Sequence, residues 1–309
     1  MSLENLESHR KFFQTKLKSF ENTHVYSRFQ NFSPILAERK FFVHLKSNLA
    51  KDYIDFLTQI RALSIDKVGL GIALSAMPEV NLCGNMLAIA KQEIFLDQLC
   101  DGNKIFSMAV SEKGWQGRIK NIKTSFIETN SGRVLVGNKG FATNGRNPDY
   151  FLIVTKDNFI YNSYLVPLNT AGLEVNPFDL NYAQEATHAE IIFHEIPESK
   201  LIKLEIDYRK HAKSLRLLEI FSLQFILLGF IDRIRIELKI PHELEQAFQI
   251  FENEINLITD KLHDSSRFDI NSQDLKWGVS VLESLQIYLD NVINYPEWNL
   301  FKILLLNSN

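Results

Sequence analysis

The chain has 309 residues, 45% of them apolar and 23% charged, with a formal charge of −3. That is long enough for a sizeable core in one to three domains, and the balance excludes disordered and fibrous classes. No long basic stripe is present to neutralise phosphates, so a nucleic-acid partner is not expected.

The amino terminus, MSLENLESHRK, lacks the apolar run of a signal peptide. From there to about residue 100 the apolar residues recur at three- and four-residue spacing. Leu36, Phe41, Phe42 and Leu45 make one such face, and Tyr53, Phe56, Leu57 and Ile60 the next, which predicts several helices. Ser33-Pro34 reads as a helix start, with serine as cap and proline in the first turn. Cys83 and Cys100 show no CxxC or His/Cys spacing and are expected as reduced thiols of a cytoplasmic protein.

Between 104 and 205 short runs rich in Ile, Val, Phe and Tyr alternate with turn residues. Predicted strands are 105–110, 122–128, 133–137, 150–155, 159–166 and 189–196, with turns at Asn130-Ser131-Gly132 and Lys156-Asp157-Asn158. They predict an antiparallel barrel or sandwich. The stretch VGNKGFATNG (136–145) reads as a polar, glycine-bearing turn, either a plain hairpin or a ligand contact.

After residue 206 the pattern is helical again, over about 208–238, from Pro241 to about 265, and over 273–293. The apolar run LQFILLGFI (223–231) is too short to span a bilayer, so no membrane span is expected. The eight histidines show no metal-ligand spacing, and no metal is expected. The division predicted is a helical domain over 1–103, a β domain over 104–205 and a helical domain over 206–309.

Two segments in this frame resemble the acyl-CoA dehydrogenase family. EIFLDQLCDGNKIFSMAVSEKG (93–114) is similar to the family's helix, L-x-x-G turn and strand ending in Thr-Glu-Pro-Gly. RVLVGNKGFATNG (133–145), followed by DYFLIVTK, is similar to its N-G-x-K-x-W-I-T-N-G segment, and the likeness extends over roughly 60–235. The resemblance implies an α+β fold: an N-terminal helical domain, a middle antiparallel β-barrel or sandwich, and a C-terminal helical bundle, shortened here. It also implies FAD as cofactor, an acyl-CoA or related thioester as substrate, and assembly as a homo-oligomer. The chemistry would be loss of the α proton to a carboxylate and of the β hydride to the flavin.

Carried over by motif position, the flavin contacts fall on Met108, Val110, Ser111, Phe141 and Thr143, with Phe141 where relatives have Trp. The loop Lys113 to Arg118, which includes Trp115, replaces the family's Pro-Gly-x-Gly-Ser-Asp. The usual Tyr-Glu-Gly base segment and the Arg-x-x-Phe-Gly turn are missing. Aligned by Gly229 to relatives that carry the base on the first long helix of the last domain, Glu219 takes the catalytic position. A carboxylate inside that apolar helix would be expected to have a raised pKa. Read without the resemblance, Glu219 falls on a solvent face beside Arg216. Three functions stay open: an FAD-dependent acyl-CoA dehydrogenase with Glu219 as base, a degenerate relative that binds or scaffolds without oxidation, and a flavin enzyme of another reaction type on this fold, such as a hydroxylase or nitro-compound oxidase.

Overall fold

The computed structural model describes residues 3–114, 117–181 and 183–263, together with Trp298, Phe301 and Lys302. Trp115 and the predicted helix over 273–293 lie outside the described residues. Seven α-helices come first: α1 (Leu3–Leu17), α2 (Arg28–Glu38), α3 (His44–Ser47), α4 (Ala50–Ser64), α5 (Lys67–Pro78), α6 (Asn85–Ile89) and α7 (Glu93–Cys100). Eight strands follow: β1 (Phe106–Ala109), β2 (Ser125–Thr129), β3 (Gly132–Thr143), β4 (Tyr150–Asp157), β5 (Ile160–Pro167), β6 (Leu173–Phe178), β7 (His188–Pro197) and β8 (Ile202–Asp207). Then come α8 (Tyr208–Glu237) and α9 (His242–His263).

Local chemistry accounts for several of these boundaries. Asp66 caps α5, its carboxylate accepting from the amides of Val68 and Gly69, and Asp207 caps α8 through Arg209 N. Pro241 stands just before α9 and its carbonyl accepts from Glu245 N, as a proline at a helix entrance can. The start expected at Ser33-Pro34 is wrong. The helix begins at Arg28, continuing a 3-10 turn over Val25–Ser27, and carries Pro34 in its interior with Ser33 buried. Between α5 and α6 the chain widens into a π-helical turn, Glu79–Gly84.

The strands form two four-stranded sheets, ordered β1-β4-β5-β8 and β2-β3-β7-β6. Pairing is antiparallel except between β1 and β4, which run parallel, a departure from the all-antiparallel expectation. β1, which follows α7, and β4, which follows β3, thus run in the same direction within the sheet. β6 and β8 were not predicted. β6 carries Pro177 and alternates half-buried with exposed residues at a sheet edge, and β8 is likewise an edge strand; neither shows the dense apolar run that marks the inner strands.

Alternation along β4 divides two cores. Phe151 and Ile153 join Ala109, Leu135, Tyr164, Ile191 and Phe193 in a cluster between the sheets. Leu152 and Val154 turn the other way, into a larger cluster built by the helices. That cluster joins α1, α4 and α5 to α8 and α9, so the helices on either side of the β segment pack as one body. α8 is its axis, with every residue from Phe221 to Ile231 buried. This central stretch is apolar apart from Ser222 and Gln224 because other elements surround it. Phe301 reaches it as well, 5.4 Å from Phe230 between ring centroids.

The helical stretches Lys67–Ile89 and Tyr208–Glu237 are long and apolar enough to cross a membrane, contrary to the length argument drawn from 223–231 alone. Their most apolar windows are 78% and 72% buried within the protein, which accounts for the composition by core packing. Cys83 and Cys100 are both free, the first buried in the helical core.

Candidate functional site

The stretch VGNKGFATNG is no hairpin turn. It is the second half of β3, running unbroken to Thr143. Gly137 has φ +131°, and a Cβ there would stand 2.8 Å from Thr124 Cα, so both conformation and space call for glycine. Further on, Lys139 pairs with Ile191 and Ala142 with Ala189, which leaves Gly140 and Phe141 opposite the single residue Glu190. This is a β-bulge. Gly140 N turns away from the ladder and donates to Ser111 O at 2.8 Å, so the bulge pins the chain leaving β1 against β3. Asn144 ends the strand in the left-handed region (φ +61°), and its side-chain amide donates to Ser75 O of α5.

The bulge opens a cleft of about 530 Å³ lined by Ser111, Glu112, Lys113, Gly140, Phe141, Phe178 and Glu190. Its size is that of a small-molecule or cofactor site. Behind it lies a buried ion pair. Lys139 Nζ donates to Glu112 Oε1 at 2.8 Å, with the lysine side chain fully and the glutamate almost fully out of solvent. Glu112 also accepts from Thr124 N, Thr124 Oγ1 and Lys123 N, at 3.0, 2.7 and 2.7 Å. Burial works to raise the Glu112 carboxyl, but Lys139 and these donors outweigh it and hold it below the ordinary range. Burial also pushes Lys139 down, to about 8, against the pull of Glu112.

Of the flavin contacts implied by the motifs, the structure brings Ser111 and Phe141 together on this cleft. Thr143 lies two residues beyond Phe141 and pairs with His188 of β7. Met108 and Val110 instead turn into the helical core and are not among the lining residues. Glu219 lies on α8 and is also absent from the lining. It is about one-fifth exposed and accepts from Arg216 Nη1 at 2.5 Å, one turn away. The sealed, solitary carboxylate expected from the apolar sequence is not found, because its side chain reaches a cation at the helix surface.

The motifs did not point to Phe178, Glu190 or His188. Phe178 and Glu190 reach the cleft through the pairing of β6 and β3 with β7, which no local pattern discloses. His188 packs against both Phe141 and Phe178, with ring centroids 4.4 and 6.0 Å away.

The two-sheet β unit set against one helical body is an acyl-CoA dehydrogenase-like fold. Butyryl-CoA dehydrogenase from Megasphaera elsdenii superimposes with a TM-score of 0.70 at 15% identity, over 93% of this chain and 85% of that one. A glutaryl-CoA dehydrogenase from Mycobacterium smegmatis, solved in complex with FADH2, gives 0.71 at 14% identity, over 100% and 92%. The prolyl acyl carrier protein oxidase AnaB gives 0.64 at 14% identity, over 93% and 86%. No family model and no curated protein matches the sequence, so the likeness is one of fold.

Proposed function

We propose that the chain is a flavin-dependent oxidoreductase of the acyl-CoA dehydrogenase kind, acting on an acyl thioester with FAD as hydride acceptor. The observation that carries this reading is the Gly140 N to Ser111 O bond, which joins the two family-like motifs on one cleft. The residues present suit a flavin: an open aromatic face at Phe141, a hydroxyl at Ser111, and a buried, unpartnered ring nitrogen at His188 Nδ1 nearby. FAD, when bound, supplies the two-electron acceptor for the β hydride.

The chain's own part is to bind and orient the ring, keep one face closed by β3, and remove the α proton. Glu219 is the carboxylate we assign to that proton, and the Arg216 contact must open for Glu219 Oε2 to receive it. That same contact favours the second reading, a binding or scaffold protein on this fold, since a carboxylate engaged by a guanidinium is a poor proton acceptor.

Visible absorption of the purified protein, before and after adding FAD, separates the two. Flavin uptake, followed by bleaching on anaerobic addition of an acyl-CoA or a carrier-linked acyl thioester, is the expected result. A protein that stays colourless and takes up no FAD overturns the reading. Glu219→Gln should keep the flavin and lose the bleaching; unchanged bleaching removes Glu219 from the role of base.

A further inference from the structure

Three rings stand together on the cleft side of the second sheet, one from each of three neighbouring strands. Phe141 belongs to β3, His188 to β7 and Phe178 to β6. The centroid separations are 4.4 Å for Phe141 and His188, 5.7 Å for Phe141 and Phe178, and 6.0 Å for Phe178 and His188, the last pair within 20° of parallel. Strand register sets this arrangement. His188 is paired with Thr143 on one side and Phe178 on the other, forming one rung, and Phe141 precedes Thr143 by two residues on the same face.

Two features of the group have no structural purpose of their own. Phe141 is 41% exposed to the cleft, and His188, 8% exposed, holds its Nδ1 without a hydrogen-bond partner. A phenylalanine or leucine would fill the same place without stranding a polar atom. Burial pushes His188 down to about 4, so it is a neutral imidazole near pH 7, with one nitrogen donating and the other accepting. An aliphatic chain in the cleft would have no use for that nitrogen. A flat heteroaromatic ring, apolar on its faces and polar on its edges, uses both features at once.

We propose that Phe141, Phe178 and His188 form an aromatic cluster, with Phe141 tilted 34° to the His188 ring and 54° to the Phe178 ring, that receives the flavin ring, and that His188 is a polar partner for the ring's edge. The proposal rests on the flavin reading above and adds Phe178 and His188, which neither motif contains.

The test is FAD titration of the full-length protein by calorimetry and visible absorption, in wild type, His188→Phe, His188→Gln and Phe178→Leu. His188→Phe keeps the packing and removes only the polar atom. It should weaken FAD binding about tenfold, the equivalent of one hydrogen bond, and displace the visible flavin band. His188→Gln, which restores a donor and an acceptor, should recover part of both, and Phe178→Leu should weaken binding on its own. If wild type binds FAD and all three variants bind it with unchanged affinity and spectrum, the cluster is not the seat of the ring, and the flavin reading survives without it. Wild type that takes up no FAD removes both.

Discussion

Lys139 and Glu112 meet at 2.8 Å in a pocket closed to solvent, and through that contact the middle of β3 is fastened to the chain leaving β1. Glu112 accepts as well from both the backbone and the hydroxyl of Thr124, so a single carboxylate ties together the three segments that back the cleft. Ser111 and Lys113 on either side of it line the cleft directly. The pair is therefore a second link between the two motifs, beside the Gly140 N to Ser111 O bond.

Removing the lysine alone strands a buried charge. Lys139→Met is expected to cost about 3–5 kcal/mol in urea denaturation, and Glu112→Gln with Lys139→Met together should recover part of that loss. A Lys139→Met protein as stable as wild type would show that the pair holds nothing in place.

Gly229 lies where α8 crosses α4. A Cβ there would stand 2.3 Å from the carbonyl oxygen of Arg61 and 2.7 Å from Ser64 Cβ, so the helices must part to admit it. Nearby, Arg61 binds Asp232 and Glu252 in a largely buried network that would move with them. Gly229→Ala should destabilise by about 1–3 kcal/mol, the usual cost of overpacking, visible as a lower denaturation midpoint. No change in the midpoint would mean that the crossing is loose.

Glu79, on the π-helical turn, accepts from Phe106 N at 2.7 Å through one oxygen and leaves the other without a partner. Burial, with a smaller contribution from Asp149, raises its pKa from 4.5 to about 8. Between those values the unfolded chain has released the proton and the folded chain retains it. Stability is therefore full below 4.5 and falls as pH rises through about 8, by at most about 1.4 kcal/mol per pH unit. Glu79→Gln keeps the acceptor for Phe106 N and has no proton to lose, so its stability should be flatter over that window. Parallel pH profiles for the two proteins would refute the assignment.

Phe141 stands where the resembled family carries tryptophan, and the side chain opens onto the cleft. Phe141→Trp should therefore fit with little effect, within about 0.5 kcal/mol. Its fluorescence, taken as the difference from wild type, should be quenched on adding FAD if the ring lies there. Unquenched emission in a protein shown to bind FAD would place the flavin elsewhere.

How much of this was legible from the sequence varied with the range of the interactions involved. The apolar run 223–231 marked the centre of α8, because a helical stretch buried on all sides needs apolar residues on nearly all sides. β4 and β5 were visible for the same reason, being central in their sheet and covered on both faces. VGNKGFATNG misled because its glycines and asparagine, turn-formers by local propensity, here serve a close approach to Thr124, a bulge and a strand end. Composition does not distinguish those uses from a turn.

Local pattern and residue type, acting over a few neighbours, determined the succession of helices, strands and helices, the burial of α8, and the motif positions of Ser111 and Phe141. Tertiary structure alone decided that Gly140 would bond Ser111 and that Phe178 and His188 would join Phe141, whereas the Arg216 contact of Glu219 is a one-turn pair that the sequence itself offered. Except for the pair on α8, these contacts join residues tens of positions apart. They depend on strand register and on the packing of sheets, which form only when the whole chain has folded.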